Sequence, residues 1–374
     1  MIPYGRQSVD EDDVRAVVEV LRGAWLTTGP NVELFERSVA AAAGARHAIA
    51  VSNGTAALHC IMHALGVGSG DEVIVPAITF VATANAAVFE GATPIFADVD
   101  ADTLTIDPRS VEARITPRTK AIVGVDYAGH PCDWDALRAV ASKHGLPLIA
   151  DGCHALGASS KGAPVGAIAA MTAFSFHPVK HVTTGEGGAV VTDDDALAQK
   201  LRLFRAHGIA TDHRTRELKG TFLYEMIGLG YNYRICDIQC ALGASQMKKL
   251  EGWVERRRAI AARYRSTLPA IAGLEVLRDR DDSKNAYHLF VVKVPAGIDR
   301  AAVHRRLREL GIAANVHYMP VHLHPFYRER FGTGEGLCPT AEREWERILS
   351  IPMYPAMTDG DVDAVVAALK TAIG

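Results

Sequence analysis

From about residue 45 the chain alternates short, continuous apolar runs with longer segments patterned as helices. The runs HAIAV (47–51), EVIVP (72–76), TPIFADV (93–99), KAIVGV (120–125), LPLIAD (146–151), MTAFSF (171–176) and GAVVT (188–192) predict strands. Each is short, rich in branched residues and apolar along its length, as a strand buried on both faces must be. Helices are predicted between them, over 55–65, 80–90, 133–144 and 193–206. Strands and helices in this alternation predict a largely parallel sheet with helices on both faces. Such sheets bind ligands at the carboxyl ends of their strands, so the residues just after each strand are the ones to read for chemistry.

The texture changes after Asn232. Residues 237–265 read as one long uninterrupted helix, followed by a strand, AYHLFVVKV (286–294), and helices over 299–310 and 359–373. The expected organisation is a large α/β domain over 1–250, including the N-terminal segment, and a smaller α/β domain over 251–374. No internal repeat or low-complexity tract interrupts it.

Composition narrows the classes. The 374 residues leave room for more than one domain, and 48% hydrophobic with 22% charged residues is ordinary for a globular protein. Lys and Arg (40) nearly balance Asp and Glu (43), for a net charge of −3, without the basic footprint of a nucleic-acid binder. Six cysteines form no CxxC pair and read as reduced thiols. Cys236 and Cys240 are four apart with no second ligand pair, so no metal is expected. The start, MIPYGRQSVDEDD, lacks the pattern of a signal peptide, and the uncharged run 73–89 is too short and polar to span a bilayer. The expectation is a cytoplasmic protein.

Three stretches carry candidate chemistry. VSNGTAAL (51–58) puts Ser-Asn-Gly-Thr between a strand and a helix, which is either an ordinary helix cap or a phosphate cradle made of helix N–H groups and hydroxyls. It has no GK[ST], and the nearby GVGSG (66–70) precedes a strand rather than following one, so neither is a nucleotide fingerprint. LPLIAD ends in Asp151, with His154 just beyond; a carboxylate there is costly to bury without a cation such as a protonated pyridine nitrogen, although a structural cap would also use one. FSFHPVKHVTTGEGG (174–188) carries Ser175 and Lys180 between an apolar strand and a Thr/Gly-rich loop. Amine chemistry needs a neutral lysine, obtained by desolvation or by a neighbouring cation, and FSF or His181 offers either. Pyridoxal phosphate enzymes need a lysine for the covalent bond, a partner for the ring nitrogen and a phosphate cradle. Lys180, Asp151 and the SNGT turn with Ser175 supply all three.

With these residues in place the sequence resembles the sugar-nucleotide aminotransferases of the DegT/DnrJ/EryC1/StrS group, which are pyridoxal-phosphate enzymes of the aspartate aminotransferase fold (fold type I). The resemblance runs nearly end to end, through WLTTGP (25–30), SNGTAAL (52–58), PAITFVATANA (76–86), DGCHALGA (151–158), FSFHPVKHVTTGEGG, GYNYRICDIQCALG (230–243) and VHYMPVHLHPFY (316–327). It implies that Lys180 bonds the cofactor and shuttles the proton, and that Asp151 pairs with the ring nitrogen. By the same resemblance Phe80 stacks on the ring, Gly54, Thr55 and Ser175 hold the phosphate, and His154 stands where many relatives have Gln, beside the cofactor hydroxyl. Asn232 is implied to reach the neighbouring subunit's cofactor phosphate, hence a homodimer with shared sites. GHPCDWDAL (129–137) and the Lys180 loop are similar to the branch that makes the pseudaminic acid precursor. That implies L-glutamate as amine donor and a UDP-linked 4-keto sugar aminated at C4 as acceptor; residue types alone do not separate C3 from C4.

Other residues are weighed against plainer roles. Thr27, His317, Tyr318 and His322 fall in segments that the resemblance puts on the substrate side, and the histidines at 317, 322 and 324 have no carboxylate or cysteine among them to suggest a metal. Glu186 reads as structural support for the loop, and the arginines of WVERRRAIAARYR (253–265) as a solvated helix face. Two other functions are considered, a sugar dehydratase using pyridoxamine phosphate and a non-enzymatic regulator. The presence of Lys180, where such dehydratases carry histidine, argues against the first; its retention with Asp151 and Ser175 argues against the second.

Overall fold

A computed structural model describes residues 1–211, 216–218 and 220–374 in full and the backbone alone of 213–215. Among these residues the main sheet has seven strands: β1 (His47–Val51), β2 (Glu72–Pro76), β3 (Thr93–Ala97), β4 (Thr119–Val125), β5 (Leu148–Asp151), β8 (Met171–Ser175) and β9 (Gly188–Thr192). The intervening β6 (Ser159–Ser160) and β7 (Ala163–Pro164) form a separate small sheet with β11 (Ser283–Lys284). The order of the main sheet is β1-β9-β8-β5-β4-β2-β3. Strands β3, β2, β4, β5 and β8 run parallel, while β9 is antiparallel to both β8 and β1. This is the sheet that the apolar runs predict. The strands bury nearly all their residues because both faces are covered.

Several expected elements differ in extent. Two N-terminal helices, α1 (Glu11–Arg22) and α2 (Pro30–Ala43), precede the sheet and pack on the helix Asp237–Met247. The stretch 237–265 is not one helix: it breaks at Lys248–Lys249, and a second helix runs Leu250–Thr267. At the break, Lys249 reaches back to Asp13 (2.9 Å) and Asp10 (2.5 Å), tying the turn to the start of α1. Of the strand expected over 286–294, only β12 (Phe290–Lys293) pairs, between β10 (Glu275–Val276) and β13 (Ile348–Ile351). Residues 286–289 stay irregular and face the main sheet's site. A second apolar core, of Ile260, Tyr264, Leu268, Val292, Leu349, Val365 and their neighbours, lies under this small antiparallel sheet.

The arginine-rich face is only partly solvated. Arg257 is buried, 1% exposed, and donates to the carbonyls of Tyr287, His288 and Met353. Arg258 donates to the carbonyls of Asn285 and Gly157. The reading of this stretch as a wholly solvated face is therefore corrected. All three bonds of Arg257 leave from Nη1, so one nitrogen of its guanidinium gathers the carbonyls that bury it.

The start of α2 is pinned by one carboxylate. Asp237 is fully buried, and its two oxygens accept the N–H groups of Gly29 (2.6 Å) and Asn31 (2.9 Å) at the start of α2. Asp237→Ala leaves both donors without this acceptor, and is expected to destabilise the protein by about 1–2 kcal/mol in urea unfolding.

Candidate active site

The carboxyl ends of β5, β4, β2 and β8 meet on one side of the sheet. Asp151 is the last residue of β5 and is 5% exposed. Its Oδ2 accepts the Thr83 hydroxyl at 2.7 Å, Thr83 bonds Thr79 at 2.7 Å, and Oδ1 accepts the Cys153 N–H at 3.1 Å. Thr79 and Thr83 come from the turn after β2 and the first turn of α4 (Ala82–Phe89), one helical turn apart. The expected helix over 80–90 thus starts two residues late, leaving Phe80 in the loop with 54% of its surface exposed beside Asp151's donors.

The phosphate cradle is legible in how closely two backbones approach. The helix α3 (Gly54–Ala64) starts at Asn53, whose side chain caps the N–H of Ala56 at 2.8 Å. Gly54 and Thr55 carry the preceding N–H groups, which a helix leaves without intrahelical acceptors. A Cβ at Gly54 would lie 3.0 Å from Ser175 Cβ and 3.3 Å from Cys153 Sγ. Gly54 therefore lets the helix N-terminus close directly on the Ser175 hydroxyl at the end of β8. Free N–H groups, a helix dipole and a hydroxyl fit a phosphate dianion.

Lys180 projects from the compact loop after β8, whose ends meet through Phe176 N–H to Gly187 carbonyl (2.8 Å) and Thr184 N–H to Phe176 carbonyl (3.0 Å). Glu186 contributes its carbonyl, which accepts from Thr184 Oγ1 and Gln239 Nε2, in keeping with structural support. Burial pushes the Lys180 amine below the ordinary lysine value, against the pull of Asp151. Desolvation rather than a charged neighbour dominates, since burial also pushes His181 well below its ordinary value.

His154 is 5% exposed; its Nδ1 accepts the Ala128 N–H at 3.3 Å and its Nε2 lies 3.2 Å from the Tyr318 hydroxyl. With Nδ1 accepting, Nε2 carries the proton and donates to Tyr318, freeing that hydroxyl to donate in turn. Tyr318 lies 5.9 Å from the Phe80 ring, centroid to centroid. His317 turns elsewhere: it bonds Ser350 at 2.8 Å, and its carbonyl accepts the Tyr127 hydroxyl. His322 is 0% exposed, bonded to Glu342 at 2.9 Å and packed on Phe96. A ring so sealed has no surface for a substrate, so the expected contact from His322 is corrected to a structural role. Thr27 and Asn232 are exposed on separate bridges, Thr27 opposite Cys236 and Asn232 opposite Ala206.

Sequence reasoning overlooked Thr83, His288 and Asp126. Thr83 was signalled by a hydroxyl one helical turn from Thr79; His288 by a lone imidazole inside the apolar run AYHLFVVKV. Asp126 follows β4, and its Oδ1 accepts Cys132 N–H (2.8 Å) and Trp134 Nε1–H (3.0 Å) while Oδ2 is buried without a partner. Among the described residues, no group of three or more His, Cys, Asp and Glu could hold a metal ion, and no helix is long and apolar enough to cross a membrane.

The fold and this constellation are those of a fold type I, pyridoxal-phosphate-dependent aminotransferase. The chain belongs to the DegT/DnrJ/EryC1/StrS aminotransferase family, whose model matches residues 7–370. It is 42% identical to the spore coat polysaccharide biosynthesis protein SpsC of Bacillus subtilis, over 99% of this chain and 96% of that protein. Among solved structures it is similar to Spr1654 of Streptococcus pneumoniae in its PMP form (31% identity, TM-score 0.94, covering 100% and 99% of the two chains), a protein also solved in a PLP form. It is also similar to Helicobacter pylori PseC, an aminotransferase involved in the biosynthesis of pseudaminic acid (32%, TM-score 0.94, 100% and 99%).

Asp126 makes stability depend on pH. Burial is the main cause that raises its carboxyl to about 7. A carboxyl raised on folding binds its proton more tightly in the native state, so its contribution is full below the unfolded value near 4 and is lost as pH rises through 7. Asp126→Asn, which stays neutral, is expected to gain on wild type by on the order of 2 kcal/mol between pH 5.5 and 8, read from urea unfolding at both pH values.

Proposed function

We propose that this sugar aminotransferase moves an amino group from L-glutamate to C4 of a UDP-linked 4-keto-6-deoxy-N-acetylhexosamine, in pseudaminic acid biosynthesis. The observation that carries the aminotransfer reading is the meeting of half-buried Lys180, the doubly hydrogen-bonded Asp151 and the Gly54–Ser175 cradle. Bound there, pyridoxal phosphate supplies an electron sink that stores the amine between donor and acceptor. Asp151 would hold a proton on the ring nitrogen by charge, and Gly54, Thr55 and Ser175 would hold the phosphate. Phe80 would cover the ring, and His154 with Tyr318 would meet its hydroxyl. Lys180, whose neutral form burial favours, would anchor the cofactor and then move the proton between the substrate carbon and the cofactor. Tyr318 and the Thr27 loop are the candidates for the sugar-nucleotide side, and His317, tied to Ser350, takes part through the backbone it fixes.

The C4 acceptor and pseudaminic pathway are supported by the motifs GHPCDWDAL and FHPVKHVTTGEGG and by the likeness to PseC. A second reading has its own support in the 42% identity to SpsC: a different nucleotide keto sugar, destined for a surface polysaccharide. Purified protein with glutamate separates the two. Under the first reading it converts UDP-2-acetamido-2,6-dideoxy-β-L-arabino-hexos-4-ulose with a kcat/KM at least about tenfold above the D-xylo isomer, a preference of about 1.4 kcal/mol. The reverse preference, or no turnover of either UDP sugar, favours the second. Lys180→Ala is the control, expected to lose all turnover; activity in that variant would sink the aminotransfer mechanism itself.

The active unit in this reading is a homodimer with shared sites. Support comes from the exposed apolar side chains around Asn232: Phe222 is 87% exposed, Leu229 74% and Met226 65%. A contiguous apolar segment in water favours burial against a partner. Mixed dimers of inactive Lys180→Ala and inactive Asn232→Ala chains are expected to regain part of the activity, because one hybrid site is then intact. If verified mixed dimers stay as dead as the parents, Asn232 does not act across an interface.

A further inference from the structure

His288 lies outside every motif that carries the aminotransferase reading, yet its Nε2 is 3.5 Å from Lys180 Nζ. That is long for a hydrogen bond, as such pairs often are before a site is filled. The ring is 4% exposed, with the His154 ring 4.4 Å away and the His181 ring 5.8 Å away. His181 Nε2 is engaged with the Ala286 carbonyl at 3.0 Å, and Arg257 donates to the carbonyls of Tyr287 and His288 itself. The Nδ1 of His288 is buried with no partner.

We infer that His288 is a positioning residue for Lys180: its Nε2–H donates to the lone pair of the neutral amine and aims that amine at the substrate carbon before it takes the proton. The inference rests on the reading of Lys180 given above. Two features of the site support it. The groups facing the imidazole are Lys180, His154, His181 and Arg257, so burial and this company hold the ring well below its ordinary value, and it carries a single proton. An unpaired N–H is rarer and costlier in a protein interior than a bare acceptor, so the partnerless Nδ1 is the bare nitrogen and Nε2 holds the proton. Only a neutral amine has a lone pair to accept it; an ammonium would meet the N–H donor to donor. The contact thus favours the form of Lys180 that the chemistry needs. No proton changes owner at His288: Lys180 would take the proton from the substrate carbon with the lone pair that had accepted the Nε2–H, opening the contact, pass it on to the cofactor and so regain the contact, while the Nε2–H stays in place.

Imidazole ¹⁵N NMR of the cofactor-free protein tests the tautomer directly, with the His288 signals assigned by their loss in His288→Gln. The expected spectrum shows His288 neutral, protonated at Nε2, and shifted in Lys180→Met, which removes the amine. In the loaded enzyme, His288→Phe is expected to lower kcat about 100-fold with KM for both substrates within about threefold. His288→Gln, which retains an N–H donor, should recover kcat to within about tenfold of wild type. A proton on Nδ1, a His288 signal indifferent to Lys180→Met, wild-type kcat in His288→Phe, or no recovery in His288→Gln each overturns the inference. If His288→Phe melts early, the wild-type and Lys180→Met spectra decide. Failure of the underlying Lys180 reading would appear separately, as turnover surviving in Lys180→Met.

Discussion

Desolvation of one amine is the constraint around which the site is arranged. A lysine in water is an ammonium and cannot act as a nucleophile or accept a proton. Burial pushes Lys180 away from that state, and His154, His181, His288 and His317 are likewise all pushed below their ordinary values by burial. Asp151 is the counterweight, and its two hydrogen bonds from Thr83 and Cys153 fix where its negative charge points. A carboxylate secured by neutral donors remains free to pair with a cationic ring nitrogen. Had an arginine held it instead, that pairing would already be taken.

The sheet makes this separation possible. Parallel strands end on one side, so residues distant in sequence meet there without long loops. Register places Val125 beside Asp151, and Asp151 beside Ala173 of β8. Asp126, one residue beyond β4, consequently stands next to the site carboxylate, and the Asp151 charge is among the causes that raise it. Of the two strand-end carboxyls, the one bonded to Trp134 and Cys132 is raised mainly by burial, while the other takes the hydroxyl of Thr83.

The parts of this arrangement that local patterning determines were legible in the chain. The seven apolar runs are strands because a doubly covered sheet demands continuous apolar sequence, and the strand-end position of Asp151 and Ser175 follows from their place in those runs. What local patterning does not encode is tertiary satisfaction of polar groups. Arg257 reads as solvated on a helix wheel, yet three carbonyls from two distant segments bury it. His322 reads as available, yet Glu342 and Phe96 seal it. The break at Lys248–Lys249 has no glycine or proline to announce it; the pull is from Asp10 and Asp13, more than 230 residues earlier in the chain. N-terminal α1 and α2 do carry local signals, Asp10 with Asp13 as a capping box and Gly29–Pro30 as a helix start.

The C-terminal region is part of the site as well as a neighbour to it. Residues 286–289 fail to continue β12 because their polar groups are drawn elsewhere: the N–H groups of Ala286 and Leu289 bond the carbonyls of Gly129 and Ala128. Those two residues belong to the turn after β4 whose Ala128 N–H also fixes His154. One short backbone junction therefore orients His154 from one side and His288 from the other. Arg257, bound to the carbonyls of Tyr287 and His288, locks that junction to the helix Leu250–Thr267 and to Met353 beneath the small sheet. The irregular stretch at 286–289 thus ties the C-terminal core to the imidazole that lies 3.5 Å from Lys180.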